Sequence, residues 1–158
     1  MQIQINNEQL HKKLQAAASK LAQPAELMDE IQKTLVSETL LNFHSQGRPK
    51  WAGLSPYTLK RRKGGMILQD TSGLSSSVQG SFTADTATVG AGGAAVRAGR
   101  RPSSVYAAIH QFGGKAGRNQ SVNITARPYL PMDKSGNLQP EAAAAIEDIC
   151  DIFMSDAF

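Results

Sequence analysis

Residues 106–130 read YAAIHQFGGKAGRNQSVNITARPYL, and this stretch decides the fold. Tyr106, Ala107, Ile109 and His110 have the spacing of a helical turn. Phe112 is followed by Gly113 and Gly114, which accept the positive φ that a helix C-terminus favours. Residues 121–125 alternate polar and apolar, with Val122 and Ile124 on one face, as in a half-buried strand. Arg127 is held extended by Pro128, and its guanidinium is expected to clamp carbonyls or a carboxylate. His110 is expected to be a hydrogen-bonded structural histidine. The unit reads as a folded motif rather than a catalytic centre.

Upstream, the polar loop HSQGRPK (residues 44–50) delivers Trp51, the single tryptophan, expected to anchor the core; the other reading is a projecting interface residue. Ser55-Pro56 opens a short helix, serine as N-cap and proline at N1. That helix is expected to end in Lys60, Arg61, Arg62 and Lys63, stopped by Gly64-Gly65. The basic run is either a solvated helix end meeting the negative pole of the dipole or a phosphate-contacting surface. Ile67, Leu68, Leu74 and Val78 follow, with Thr71 or Ser72 available as a cap. Residues 81–89 predict a hairpin turning at Asp85, and residues 94–98 a further strand. Arg97, Arg100 and Arg101 then close a Gly-Arg loop. The glycine-rich run lacks the Gly-Lys-Ser/Thr of a phosphate loop and reads as a connector or inter-subunit loop.

The outer segments are helical. Residues 2–6 alternate as an edge strand, and Asn7 is expected to cap a helix with Leu10, Leu14, Ala17, Ala18 and Leu21 on its apolar face. Pro24 starts a second helix to about Phe43, expected to bury Met28, Ile31, Leu35, Val36, Leu40 and Phe43. After a turn at residues 134–137, Pro140 begins the last helix, with Ile146, Ile149, Cys150 and Phe153 as its stripe.

A 158-residue chain with 41% hydrophobic and 19% charged residues is expected to be one globular domain spanning residues 1–158. Residues 1–10 show no basic region followed by an apolar one and no segment approaches ~20 apolar residues, so neither a secretion signal nor a membrane association is expected. The single cysteine has no intrachain disulfide partner and points to a reducing compartment. Residues 48–134 hold 13 basic residues against three acidic ones, a net of +10, whereas the flanks hold four against ten, a net of −6. Such asymmetry suits an anionic partner or head-to-tail attraction between copies. His11, His44 and His110 lie far apart and next to no metal-ligand pattern, and the centre lacks a carboxylate pair for acid–base work. A Gly-x-Ser-x-Gly elbow is absent as well, so a non-enzyme is expected, with no metal and no cofactor.

Tyr-Ala-x-Ile-His-Gln-Phe-Gly, then a basic gap, a short strand and Ala-Arg-Pro-Tyr-Leu, resembles the phage virion morphogenesis family, the tail completion proteins of tailed bacteriophages and prophages. Trp51-Ala-Gly-Leu-Ser-Pro-x-Thr58 is similar to that family's Trp-x-x-Leu-Ser-x-x-Thr. Ile67-Leu68 with Thr71-Ser-Gly-Leu74 is similar to its Leu-x-x-Thr-Gly-x-Leu, with Ser72 extra here. The match covers about residues 43–130. With the patterns above, the expected fold is α+β, an antiparallel sheet packed against N-terminal and C-terminal helices.

The resemblance implies tail completion and head-to-tail joining, with tail-tube and head–tail connector proteins as partners. The place implied is the virion neck or tail, after assembly in the bacterial cytoplasm. The charge pattern suits a ring of identical subunits. Lys60, Arg61, Arg62, Lys63, Arg97, Arg100, Arg101, Lys115 and Arg118 are the candidate contacts to DNA or partners; Trp51, His110, Phe112, Gly113, Arg127 and Pro128 are the motif residues. A head-assembly factor of the same virion and a stand-alone basic DNA-binding module are the alternatives.

Overall fold

The computed structural model describes residues 8–62, 64–92 and 104–155. The expected strands at residues 2–6 and 94–98, the Asn7 cap, and the positions of Lys63, Arg97, Arg100 and Arg101 lie outside the described residues. The remaining elements are helices α1 (Glu8–Leu21), α2 (Pro24–Ser45), α3 (Pro56–Arg61), α4 (Ser104–Phe112) and α5 (Pro140–Ser155) and strands β1 (Gln79–Phe82), β2 (Ala87–Gly90), β3 (Gly114–Ala116) and β4 (Val122–Ile124). The class is α+β. Among the described residues antiparallel pairing is present as two two-stranded ribbons, β1–β2 and β3–β4, rather than the single sheet the sequence suggested. Among the described helices none is long and apolar enough to cross a membrane.

Helix α2 is the central support. Pro24 sits at its start with Glu26 in the first turn, where a fixed φ and an acid both favour helix initiation. At its other end Gln46 turns left-handed (φ 57°) and Gly47 follows at φ 97°, with the Gly47 N–H donating to Asn42 O at 2.8 Å. A Cβ on Gly47 would collide with the Trp51 indole, so glycine there permits both the turn and the ring's approach. The β1–β2 hairpin and α5 pack against α2. Gly80 lets β1 come close, because a Cβ there would overlap the Gln32 side chain.

The hairpin turn is held by Thr83, whose Oγ1 accepts from Thr86 N at 3.1 Å and Asp85 N at 3.3 Å. Ser55 caps α3 as expected, its Oγ accepting from Thr58 N at 3.2 Å. Neither Thr71 nor Ser72 caps an α-helix; the segment makes a 3₁₀ turn, Ser75–Ser77, with Ser72 at φ 54°. Strand β3, inside the basic loop after Gly113, was not foreseen. It pairs Gly114 with Ile124, Lys115 with Asn123 and Ala116 with Val122.

The core is small and aromatic. Phe43, Trp51, Leu74, Ala107 and Tyr129 form one buried cluster. The Phe43 ring meets Trp51 edge-on at 6.0 Å and stacks on Tyr129 at 5.2 Å, geometries that satisfy the ring quadrupoles. Trp51 is thus the anchor the sequence suggested. Several apolar expectations fail: Leu14 is 51% exposed, Val122 50% and Leu40 43%, and Ala18 is exposed as well. The buried face of α2 is instead polar for three residues, Glu38, Thr39 and Asn42, because it meets the hydrogen-bonding network described below.

Candidate functional site

Four segments distant in sequence are tied together around Tyr129. The side chain of Arg127 donates from Nε to Ala52 O at 3.0 Å and from Nη2 to Gly53 O at 2.9 Å. Its backbone N–H donates to His110 O at 2.7 Å. Trp51 Nε1 donates to Pro128 O at 2.9 Å. Gln111 Oε1 accepts from both Tyr129 N and Leu130 N, each at 2.9 Å, while its Nε2 donates to Met132 O at 3.1 Å. A side-chain amide is suited to this, being acceptor at one end and donor at the other.

The same segment has further side-chain partners. Asn42 Nδ2 donates to Tyr129 O at 3.1 Å and to Gln139 Oε1 at 2.8 Å. Arg48 Nε donates to Asn42 Oδ1 at 2.9 Å, its Nη2 pairs with Glu38 Oε2 at 2.7 Å, and Gln139 Nε2 returns to Arg48 O at 2.9 Å. The Tyr129 hydroxyl donates to Ala107 O at 3.2 Å, and burial pushes its pKa up to about 12. Gly113, at φ 71°, brings the end of α4 against Ala126 N, where a Cβ would stand at 3.0 Å. The side-chain polar groups of Trp51, Gln111 and Arg127 are therefore engaged in holding backbone, and the expected Arg127 clamp on carbonyls is present.

Beside this centre lies a cleft of about 1070 Å³ between α3, the 68–76 loop, α4 and β4. Arg62, His110 and Arg127 border it together with Tyr106 and Asp70. His110 is not hydrogen-bonded through its ring as expected: Nδ1 is buried without a partner, and the ring rests edge-on against Tyr106 at 5.8 Å. Burial, and secondarily the Arg127 charge, hold its pKa below the usual histidine value. Arg62 leaves the end of α3 and turns inward, its side chain 11% exposed, with Nη2 donating to Met66 O at 2.9 Å and Nε 3.4 Å from Asp70 Oδ1.

The basic run is thus split. Lys60 and Arg61 stay exposed on α3, Arg61 lying over the Tyr57 ring at 5.4 Å. Lys115 is exposed on β3 and Arg118 on the following turn. Phe112, at the α4 terminus, is 39% exposed. Among the described residues no three His, Cys, Asp or Glu side chains converge as metal ligands.

Order and packing both agree with the sequence motifs, and the sequence model of the phage virion morphogenesis family matches residues 5–153. The chain belongs to the phage virion morphogenesis family. It is also 36% identical over 154 residues to Mu-like prophage FluMu G protein 2 of Haemophilus influenzae, covering 97% of this chain and 96% of that protein. No solved structure matches significantly. Family membership gives the chain a role in phage virion morphogenesis. Within that family frame, Asn42, Arg48, Gln111 and Gln139 are the residues that sequence reasoning missed. The one available signal was at Gln111, a polar residue beside His110 in the mostly apolar turn YAAIHQF.

Proposed function

We propose that this protein is a non-enzymatic structural component of the virion that completes the tail and joins it to the head. In this reading it acts at the neck as a ring of identical subunits and contacts the tail tube and connector. The observation that carries the proposal is the use of the motif's polar groups. Arg127, Gln111, Trp51 and Asn42 each hold main-chain groups of distant segments, so the motif maintains a shape and leaves docking to the surface. The split charge of the chain, a basic centre between acidic flanks, supports assembly of like subunits. The exposed cations Lys60, Arg61, Lys115 and Arg118 suit sequence-independent contact with the genome as it passes.

The test is an induced phage from which this chain has been deleted. Expected are filled heads and full-length tails that fail to join, with joining restored by the chain supplied in trans. Infective particles in normal yield from the deletion would overturn the proposal. A defect confined to head formation would favour the head-assembly alternative. Native mass spectrometry of the purified chain tests the ring: expected is a closed oligomer of one size.

A further inference from the structure

Strand β4 pairs only with β3 among the described residues, so one of its edges has no strand beside it. Residues 122–125 all border the cleft. Side chains of a strand alternate between faces, so a cavity bordered by four successive residues meets main chain as well as side chains. The main chain of β4 therefore forms part of one wall. An open edge in a concave site is a template for an added strand.

The opposite side of the cleft supplies cationic charge that is only partly offset. Arg127 donates only to the neutral carbonyls of Ala52 and Gly53, and no carboxylate pairs with it among the described residues. His110 Nδ1 and Arg62 Nε, both buried without a hydrogen bond, belong to residues lining this same space. Asp70 offsets Arg62 alone and stands mostly in solvent. Leaving buried polar atoms unmade is costly, and their convergence on one cavity marks a place where a partner's atoms complete them.

We infer that the cleft binds an extended, carboxylate-bearing segment of another virion protein, added as a strand along β4 with its acid directed to Arg127 and His110. Among the described residues the carboxylates of this chain sit on helices, turns and bends, not in extended strands, which favours a different protein over a second copy as occupant. The inference rests on the structural-assembly reading above and gives it a specific docking site.

The test uses the full chain and three blocked peptides: Ac-STVEVTS-NH2, its glutamine counterpart, and the glutamate peptide N-methylated at alternate residues. Fluorescence anisotropy is expected to show the glutamate peptide binding at least ~10-fold more tightly than the glutamine one, the ratio a charge-assisted contact produces. The N-methylated peptide is expected not to bind, since it cannot pair along an edge. The amides of residues 122–125 should gain exchange protection with the glutamate peptide. His110→Phe keeps the ring's bulk and is expected to shrink the glutamate preference. Equal binding of the glutamate and glutamine peptides, retention by the N-methylated one, or no binding at millimolar concentration would overturn the inference. So would self-association that His110→Phe abolishes, which would assign the cleft to a second copy. Head–tail joining that still requires the chain, with no peptide binding, would break this inference alone and leave the structural-assembly reading intact.

Discussion

The interlocked centre and the cleft beside it are built from the same residue types and use them in opposite ways. In the centre, the Gln111 amide and the Arg127 clamp meet partners at 2.9–3.1 Å, and the chain around them is fixed. In the cleft, His110 Nδ1 is buried without a partner, and Arg62 Nε is buried with no hydrogen bond and only the ion pair to Asp70 at 3.4 Å. Saturated polar groups specify a fold, whereas unsaturated ones mark where the fold expects something from outside. His110 stands at the border: its carbonyl serves the centre through Arg127 N, and its ring serves the cleft.

The contrast breaks first at Gln111. Replacing it with leucine strands two buried N–H groups and the Met132 carbonyl inside a closed region. The expected loss is about 3–4 kcal/mol, given ~1–3 kcal/mol for each buried group left unpaired and incomplete additivity. Chemical denaturation of the purified variant measures it. A loss under about 1 kcal/mol would mean that water reaches these groups and that the centre is not closed. Next comes Arg127. Arg127→Ala is expected to cost about 3 kcal/mol, and Arg127→Lys to recover little, because a single ammonium cannot reproduce the planar fork that reaches Ala52 O and Gly53 O together.

How much of this was legible in the sequence depends on whether the signal was local. Ser55-Pro56 and Pro140 announced helix starts through their own backbone chemistry, and the structure has α3 and α5 starting there. The hairpin was legible from its alternation and turn residues. Trp51 was legible from the burial habit of a lone indole. The Arg127 clamp followed from an arginine held extended by proline, although nothing nearby named its carbonyl partners. By contrast, the Asn42–Gln139 contact joins residues with no local signature, and only folding shows that they meet. Strand β3 was hidden because Gly-Lys-Ala has neither alternation nor β-branched residues. Leu14 and Leu40 misled because helical periodicity identifies an apolar face without saying whether a neighbour covers it. The inward turn of Arg62 was unreadable for a related reason: a charge run looks uniform until the helix ends partway through it.

His110 gives a smaller effect with a definite sign. Its pKa is lowered in the folded chain by burial and by the nearby Arg127 charge, so the unfolded chain takes up a proton first as pH falls. Stability from this group is thus intact above the ordinary histidine pKa of about 6.5 and declines below it. Thermal unfolding at pH 5 and pH 7.5 should show a decline that His110→Phe reduces. An unchanged decline in the variant would place the acid sensitivity elsewhere. It would also mean that the ring is already solvated, which would narrow the distinction between centre and cleft.

The smallest effect on folding is expected at the exposed end of α3. Lys60 and Arg61 lie in solvent, where cations near a helix C-terminus contribute only tenths of a kcal/mol. Arg61 does cover the Tyr57 ring, but an exposed cation–π contact is worth about 0.5–1 kcal/mol at most. The double variant Lys60→Gln, Arg61→Gln should therefore unfold within about 1 kcal/mol of the parent. If these charges face the genome, the same variant should lower the salt dependence of DNA affinity by about two phosphate contacts. A variant that unfolds easily but keeps its salt slope would reverse the assignment, making α3 part of the architecture and returning the search for the charged surface to Lys115 and Arg118.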